Sequence, residues 1–64
     1  MYIVDPIARK VWHPVNGWTT PSRTTLEHYL FTAHDALWLC NALLKQYPNA
    51  TCLTGGEVRD TLGL

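Results

Sequence analysis

The chain has 64 residues, 47% hydrophobic and 16% charged, and its five basic and five acidic residues cancel to a formal net charge of zero. That composition is too apolar for a disordered tail, and without a basic run it argues against binding that rests on neutralising many phosphates. A single small domain over residues 1–64 is expected, near the size at which only about 60% of the unfolded surface can be buried.

No stretch approaches the roughly 20 apolar residues that span a bilayer, so membrane insertion is not expected. The N-terminal run lacks the basic start and long apolar core of a secretory leader, since Asp5-Pro6 interrupts it early. Two cysteines, Cys40 and Cys52, are too few for a secreted disulfide scaffold. Cytoplasmic localisation is therefore the expectation, with a reduced cysteine pair, although a helix and a following strand could bring the two together.

Tyr2-Ile3-Val4 reads as a strand, and Lys10-Val11-Trp12-His13 as its hairpin partner across the Asp5-Pro6 break. Asn16-Gly17 is a strong turn signal, because both residues tolerate positive φ. Trp18 follows and is expected to pack over the sheet. Residues 19–23 read as an irregular connection.

Residues 24–31 admit two readings. Tyr29, Leu30 and Phe31 favour a strand. Thr24 three residues before Glu27 offers a capping box, and Leu26, Leu30 and Ala33 continue a helical spacing into the following segment. The strand is preferred, because a second cap at Thr32 is redundant in a helix already running. A single 22-residue rod would also extend roughly 33 Å, beyond what a short hairpin covers.

The helix over 32–47 is the clearest element. Thr32 caps it, Asp35 favours the positive end of its dipole, and Pro48 stops it. Ala36, Leu37, Cys40, Leu43, Leu44 and Tyr47 are expected to form its packing face. A last strand is expected within 50–54. Residues 55–64, after Gly55-Gly56, read as one helical turn or a loose tail, leaving 1–54 as the core. The fold class is thus α+β, a small antiparallel sheet on one central helix in ββ(β)αβ order, with a hairpin plus one long helix as the alternative.

Catalytic and metal-binding sets are not expected, nor is any cofactor. His28 and His34 are separated by the outer limit of zinc-ligand spacing and, on a helix, would lie about 120° apart around the axis. Cys40 sits in an apolar stripe, where a thiol is inert. Gly55-Gly56-Glu57 lacks the residues of a phosphate loop. The informative residue is Trp38, which at 100° per residue projects opposite the packing face, among His34, Asn41, Ala42 and Lys45. A tryptophan so placed is a candidate interface anchor.

The order of these features resembles the small ββ(β)αβ proteins encoded by bacteriophages and mobile elements. The residues that carry the likeness lie within 1–54. They are a tyrosine-led hairpin, Gly17-Trp18, Tyr29-Leu30-Phe31-Thr32, Asp35-Ala36, a helix ending in Pro48-Asn49-Ala50, and a short strand. The resemblance implies a stoichiometric binder that inhibits a host enzyme or defence complex, in the anti-CRISPR or anti-defence manner, and it transfers no functional residue. The expected function is a non-enzymatic protein-binding module using Trp38, His34, Asn41 and Lys45 against a host protein, with a homodimer also open. One alternative is a nucleic-acid accessory protein using Arg9, Lys10 and Arg23 beside an aromatic sheet face of Tyr2, Trp12, Trp18 and Tyr29, although nucleic acid is not the expected partner. The other is a structural homo-oligomer joined through a sheet edge or the outer helix face.

Overall fold

Tyr2, Ile3 and Val4 are all buried although neighbouring strand residues face opposite ways, so both faces of their strand must be covered. In the computed structural model, which describes all 64 residues, that strand lies inside a four-stranded antiparallel sheet of order β3-β2-β1-β4. The elements are β1 (Tyr2–Asp5), β2 (Lys10–His13), β3 (Gly17–Thr19), a 3-10 turn (Leu26–Tyr29), α1 (Ala33–Leu43), β4 (Thr51–Leu53) and α2 (Gly55–Leu62). The α+β class and the hairpin, helix and final strand stand as the sequence predicts, in an order that follows ββ(β)αβ.

Local chemistry fixes both hairpin turns. Asp5 Oδ1 accepts from the amides of Ile7 and Ala8 (3.1 and 3.0 Å), and Arg9 completes the loop in the left-handed region at φ 58°. In the second turn, His13 Nδ1 accepts from Val15 N and Asn16 N at 3.1 and 3.2 Å, and Gly17 supplies φ 74°. The registers Val4↔Val11 and Ile3↔Cys52 with Trp12↔Trp18 then sort the side chains. Tyr2, Val4 and Val11 face one side, and Ile3, Trp12, Trp18 and Cys52 the other.

The first side is covered by α2 and the 3-10 turn. Val58, Leu26 and Tyr29 join Tyr2, Val4 and Val11 in one cluster, with Leu53, Leu62 and Leu64 packed around it. Tyr29 Oη also accepts from Thr19 Oγ1 at 2.7 Å, and its ring stands edge-on to His13. The second side is covered by α1 through Ala36 and Cys40, with Leu39, Leu43 and Tyr47 around them. The sheet is the middle of three layers.

Residues 24–31 are neither the preferred strand nor part of a long helix. Leu26 and Tyr29, three apart, both reach the sheet, which is the period of a 3-10 turn. The Thr24–Glu27 capping box that the helical reading offered does not form. The hydroxyls of Ser22, Thr24 and Thr25 bond to one another instead, and Leu26 N donates to Ser22 O. Leu30 and Phe31 are extended, and Phe31 exchanges hydrogen bonds with Met1 in both directions at 2.9 Å. This strap carries the chain from one sheet face to the other. Tyr29 and Phe31 therefore lie in different clusters, as a strand would not allow within one sheet face.

Residues 55–64 are a folded part of the core, not a loose tail. Thr54 and Glu57 form a reciprocal capping box at the start of α2, and Gly63 closes the helix at φ 72°. Arg9 and Arg23 donate to the carbonyls of Leu62 and Leu64, tying this end to the first hairpin and to the connection before the 3-10 turn.

Candidate functional site

Thr32 Oγ1 accepts from Asp35 N at 3.2 Å and starts α1 where the sequence predicts. Its end comes earlier than expected. Regular helix stops at Leu43, and tighter bonds from Gln46 N and Tyr47 N to Leu43 O turn the chain. The turn serves packing, because it delivers the Tyr47 ring against Trp12 and Trp18.

The packing face of α1 is narrower than predicted. Ala36 and Cys40 are buried, and Leu39, Leu43 and Tyr47 flank them. Leu37 and Leu44, expected in that face, are 60% and 40% exposed. Their positions explain why. Measured from Trp38 at 100° per residue they lie at about −100° and −120°, beside the core stripe and not within it. Leu39, Leu43 and Tyr47 fill the cluster from the other flank, and Leu37 and Leu44 are left outside it.

Trp38 is 70% exposed. His34, Asn41, Ala42 and Lys45 are exposed with it, and the helix sets His34, Asn41 and Lys45 between Trp38 and the Leu37–Leu44 edge. The four residues singled out from sequence thus share one surface, with Leu37 and Leu44 as two apolar members that sequence reasoning missed. The helical wheel held part of that signal, because both leucines sit to one side of the stripe centred on Ala36, Cys40 and Tyr47. Leu30, in the strap leading into α1, is also exposed. Phe31 does not join this surface and packs half-buried beneath the helix. Ile7 and Val15 are exposed at the two hairpin turns, at opposite ends of β2, where isolated apolar residues are ordinary.

The residues of the nucleic-acid alternative are divided between the two sides of the sheet. Arg9 and Arg23 lie near each other at the end of α2 on one side, while Trp12 and Trp18 lie away from them on the other, against Tyr47. The proposed four-residue aromatic face is split, since Tyr2 and Tyr29 belong to the α2 side. Trp12 and Trp18 stand edge to face at 5.3 Å, and Tyr47 stands edge to face with Trp18 at 5.5 Å. Trp18 Nε1 is buried there with no hydrogen-bond acceptor.

No cluster of three or more His, Cys, Asp or Glu side chains converges anywhere in the chain, no pocket opens in its surface, and no helix is long and apolar enough to cross a membrane. His28 lies on the 3-10 turn and His34 on α1, so no common helix joins them. Cys40 and Cys52 are free thiols on facing elements. The sheet edges β3 and β4 are three residues each, too short to template extended pairing with another chain. No protein-family model, curated protein or solved structure matches the chain.

Proposed function

We propose that this chain is a non-enzymatic protein-binding module that seats the outer face of α1 against a larger protein and acts by occupying that surface. The observation that carries the reading is Trp38, 70% exposed on a capped helix, directly opposite the stripe that packs on the sheet. Leu37 and Leu44, at i and i+7 on one flank, complete the pattern by which an amphipathic helix enters an apolar groove. Asn41, His34 and Lys45 between them supply hydrogen bonds and one positive charge at the rim. The likeness to small phage-encoded proteins extends the reading to a cytoplasmic host enzyme or defence complex as the inhibited partner.

The test compares the wild-type chain with Trp38→Ala and with Val15→Ala, an exposed apolar control away from α1. Light scattering at several concentrations comes first, then affinity capture from host lysate with each variant as bait. The reading expects one stoichiometric partner retained by wild type and Val15→Ala. Trp38→Ala should weaken its binding by roughly 30-fold or more, as loss of a hot-spot tryptophan does. A homodimer that Trp38→Ala dissociates would assign the same face to a second copy. Identical capture and identical mass for wild type and Trp38→Ala would refute the face altogether.

A further inference from the structure

The cysteine pair lies on the inner side of the same helix and has no part in the proposed contact face. Cys40 projects from α1 toward the sheet and is buried, while Cys52 projects from β4 toward α1 and is half-buried. Register places Cys52 beside fully buried Ile3, so its side chain is held on the α1 side of the sheet. Its thiol donates at 3.4 Å to the carbonyl of Ala36, one helical turn before Cys40 on the same face. The two side chains belong to one packed cluster between α1 and the sheet.

From this geometry we infer that Cys40 and Cys52 are a reversible dithiol–disulfide site that covalently pins α1 to β4 under oxidising conditions. The oxidant is a small-molecule disulfide of the glutathione class. The Cys52 thiolate, the more accessible of the pair, attacks one sulfur of that disulfide. The S–S bond breaks, one glutathione leaves as thiolate, and Cys52 carries the mixed disulfide. Cys40 then gives up its proton and attacks the Cys52 sulfur, forming the Cys40–Cys52 bond and expelling the second glutathione thiolate. The two protons released by the cysteines are taken up by the two leaving thiolates. The protein loses two electrons, and glutathione disulfide gains them.

The order of attack follows from the surroundings. Burial first, and then the neighbouring Cys52 thiol, pushes Cys40 up to about 11, which keeps it protonated while Cys52 meets the oxidant. The bond closes a loop of 13 residues, Cys40 through Cys52, and so restricts the unfolded chain.

The test incubates the full native chain in glutathione buffers from fully reduced to fully oxidised, then quenches with an alkylating reagent and measures intact mass. Excess glutathione disulfide should yield a monomer lighter by about 2 Da that takes up no alkyl group, restored by the reduced buffer. Its melting temperature should exceed that of the reduced chain by roughly 10–20 °C. Cys52→Ser, a change at a half-buried position, should take up no glutathione, because the remaining thiol is enclosed. Two alkylatable thiols persisting after overnight oxidation would overturn the inference. So would disulfide-linked dimers, or glutathione uptake by Cys52→Ser at the wild-type rate. The wild-type mass and melting measurements decide the matter even if the variant folds poorly.

Discussion

Val58→Ala tests whether α2 is part of the cooperative core. Val58 is fully buried among Tyr2, Val4, Val11, Leu26 and Tyr29, drawn from β1, β2 and the 3-10 turn. The substitution removes two methyl groups, worth about 1.6 kcal/mol in transfer at about 0.8 each. An unrelaxed void of about 40 Å³ adds about 1 kcal/mol at about 24 cal/mol per Å³. The expected loss is therefore about 2–3 kcal/mol, against a total stability of about 3–10 kcal/mol for a domain of this length. Melting should fall by roughly 10–20 °C. Urea unfolding followed by tryptophan fluorescence is the informative assay, because Trp12 and Trp18 report from the opposite sheet face. A single transition shifted by the full amount would show that both faces fold as one unit. A loss below about 0.5 kcal/mol, matched by the exposed control Asp60→Ala, would refute the reasoning and detach residues 55–64 from the core.

Two further outcomes follow from single side chains. The Glu57 carboxyl is held below its ordinary range, first by the Thr54 backbone amide and then by the Thr54 hydroxyl. A lowered folded-state value means the capping contribution is present above the ordinary glutamate range, about 4, and is lost as pH falls through the folded value. Unfolding curves at about pH 5 and about pH 3 should therefore differ more for wild type than for Glu57→Gln, and equal differences would remove the carboxylate from the cap. Trp18→Phe deletes the buried indole N–H that has no acceptor. Relief of about 1–3 kcal/mol of desolvation should offset most of the lost ring area, leaving stability within about 1 kcal/mol of wild type. A loss above about 3 kcal/mol would mean that the donor is satisfied by the neighbouring rings.

What the sequence revealed divides along local and tertiary chemistry. Thr32, Asp35 and the buried Ala36–Cys40 pair were legible because a cap and a helical stripe are written within a dozen residues. Asp5-Pro6 and Asn16-Gly17 marked their turns for the same reason. Residues 24–31 were not legible, because their conformation answers to two faces of a sheet built elsewhere. Leu26 and Tyr29 must reach one side and Phe31 the other, and no local propensity encodes that crossing. The start of α2 was written plainly in Thr54-Gly55-Gly56-Glu57, a capping box obscured by the poor helix propensity of its two glycines. The unalternating apolar run Tyr2-Ile3-Val4 held a further, unread sign, since such a run needs cover on both faces, and all three residues are buried. For the candidate site, Trp38 was visible by angle alone. Leu37 and Leu44 were assigned inward because a six-residue stripe looks generous, whereas Ala36 and Cys40 make the real contact thin.

That thin contact bears on why the outer face exists. The α1 layer has small residues, Ala36 and Cys40, at its centre, with Trp12, Trp18, Phe31, Leu39, Leu43 and Tyr47 partly buried around them. The other layer adds Leu26, Tyr29 and Val58, which bury their bulk against β1 and β2. The large apolar residues on the far side of α1 take no part in either cluster. Trp38, Leu37 and Leu44 remain 70%, 60% and 40% exposed in a chain whose core has few large side chains to spare. Scattered exposed leucines need no explanation in a small domain. A tryptophan flanked by two of them on one short capped helix is different, because a polar residue would serve the fold there equally well. The outer face of α1 is thus open for the recognition role proposed for it, while the inner face, thiols included, packs on β1 and β4.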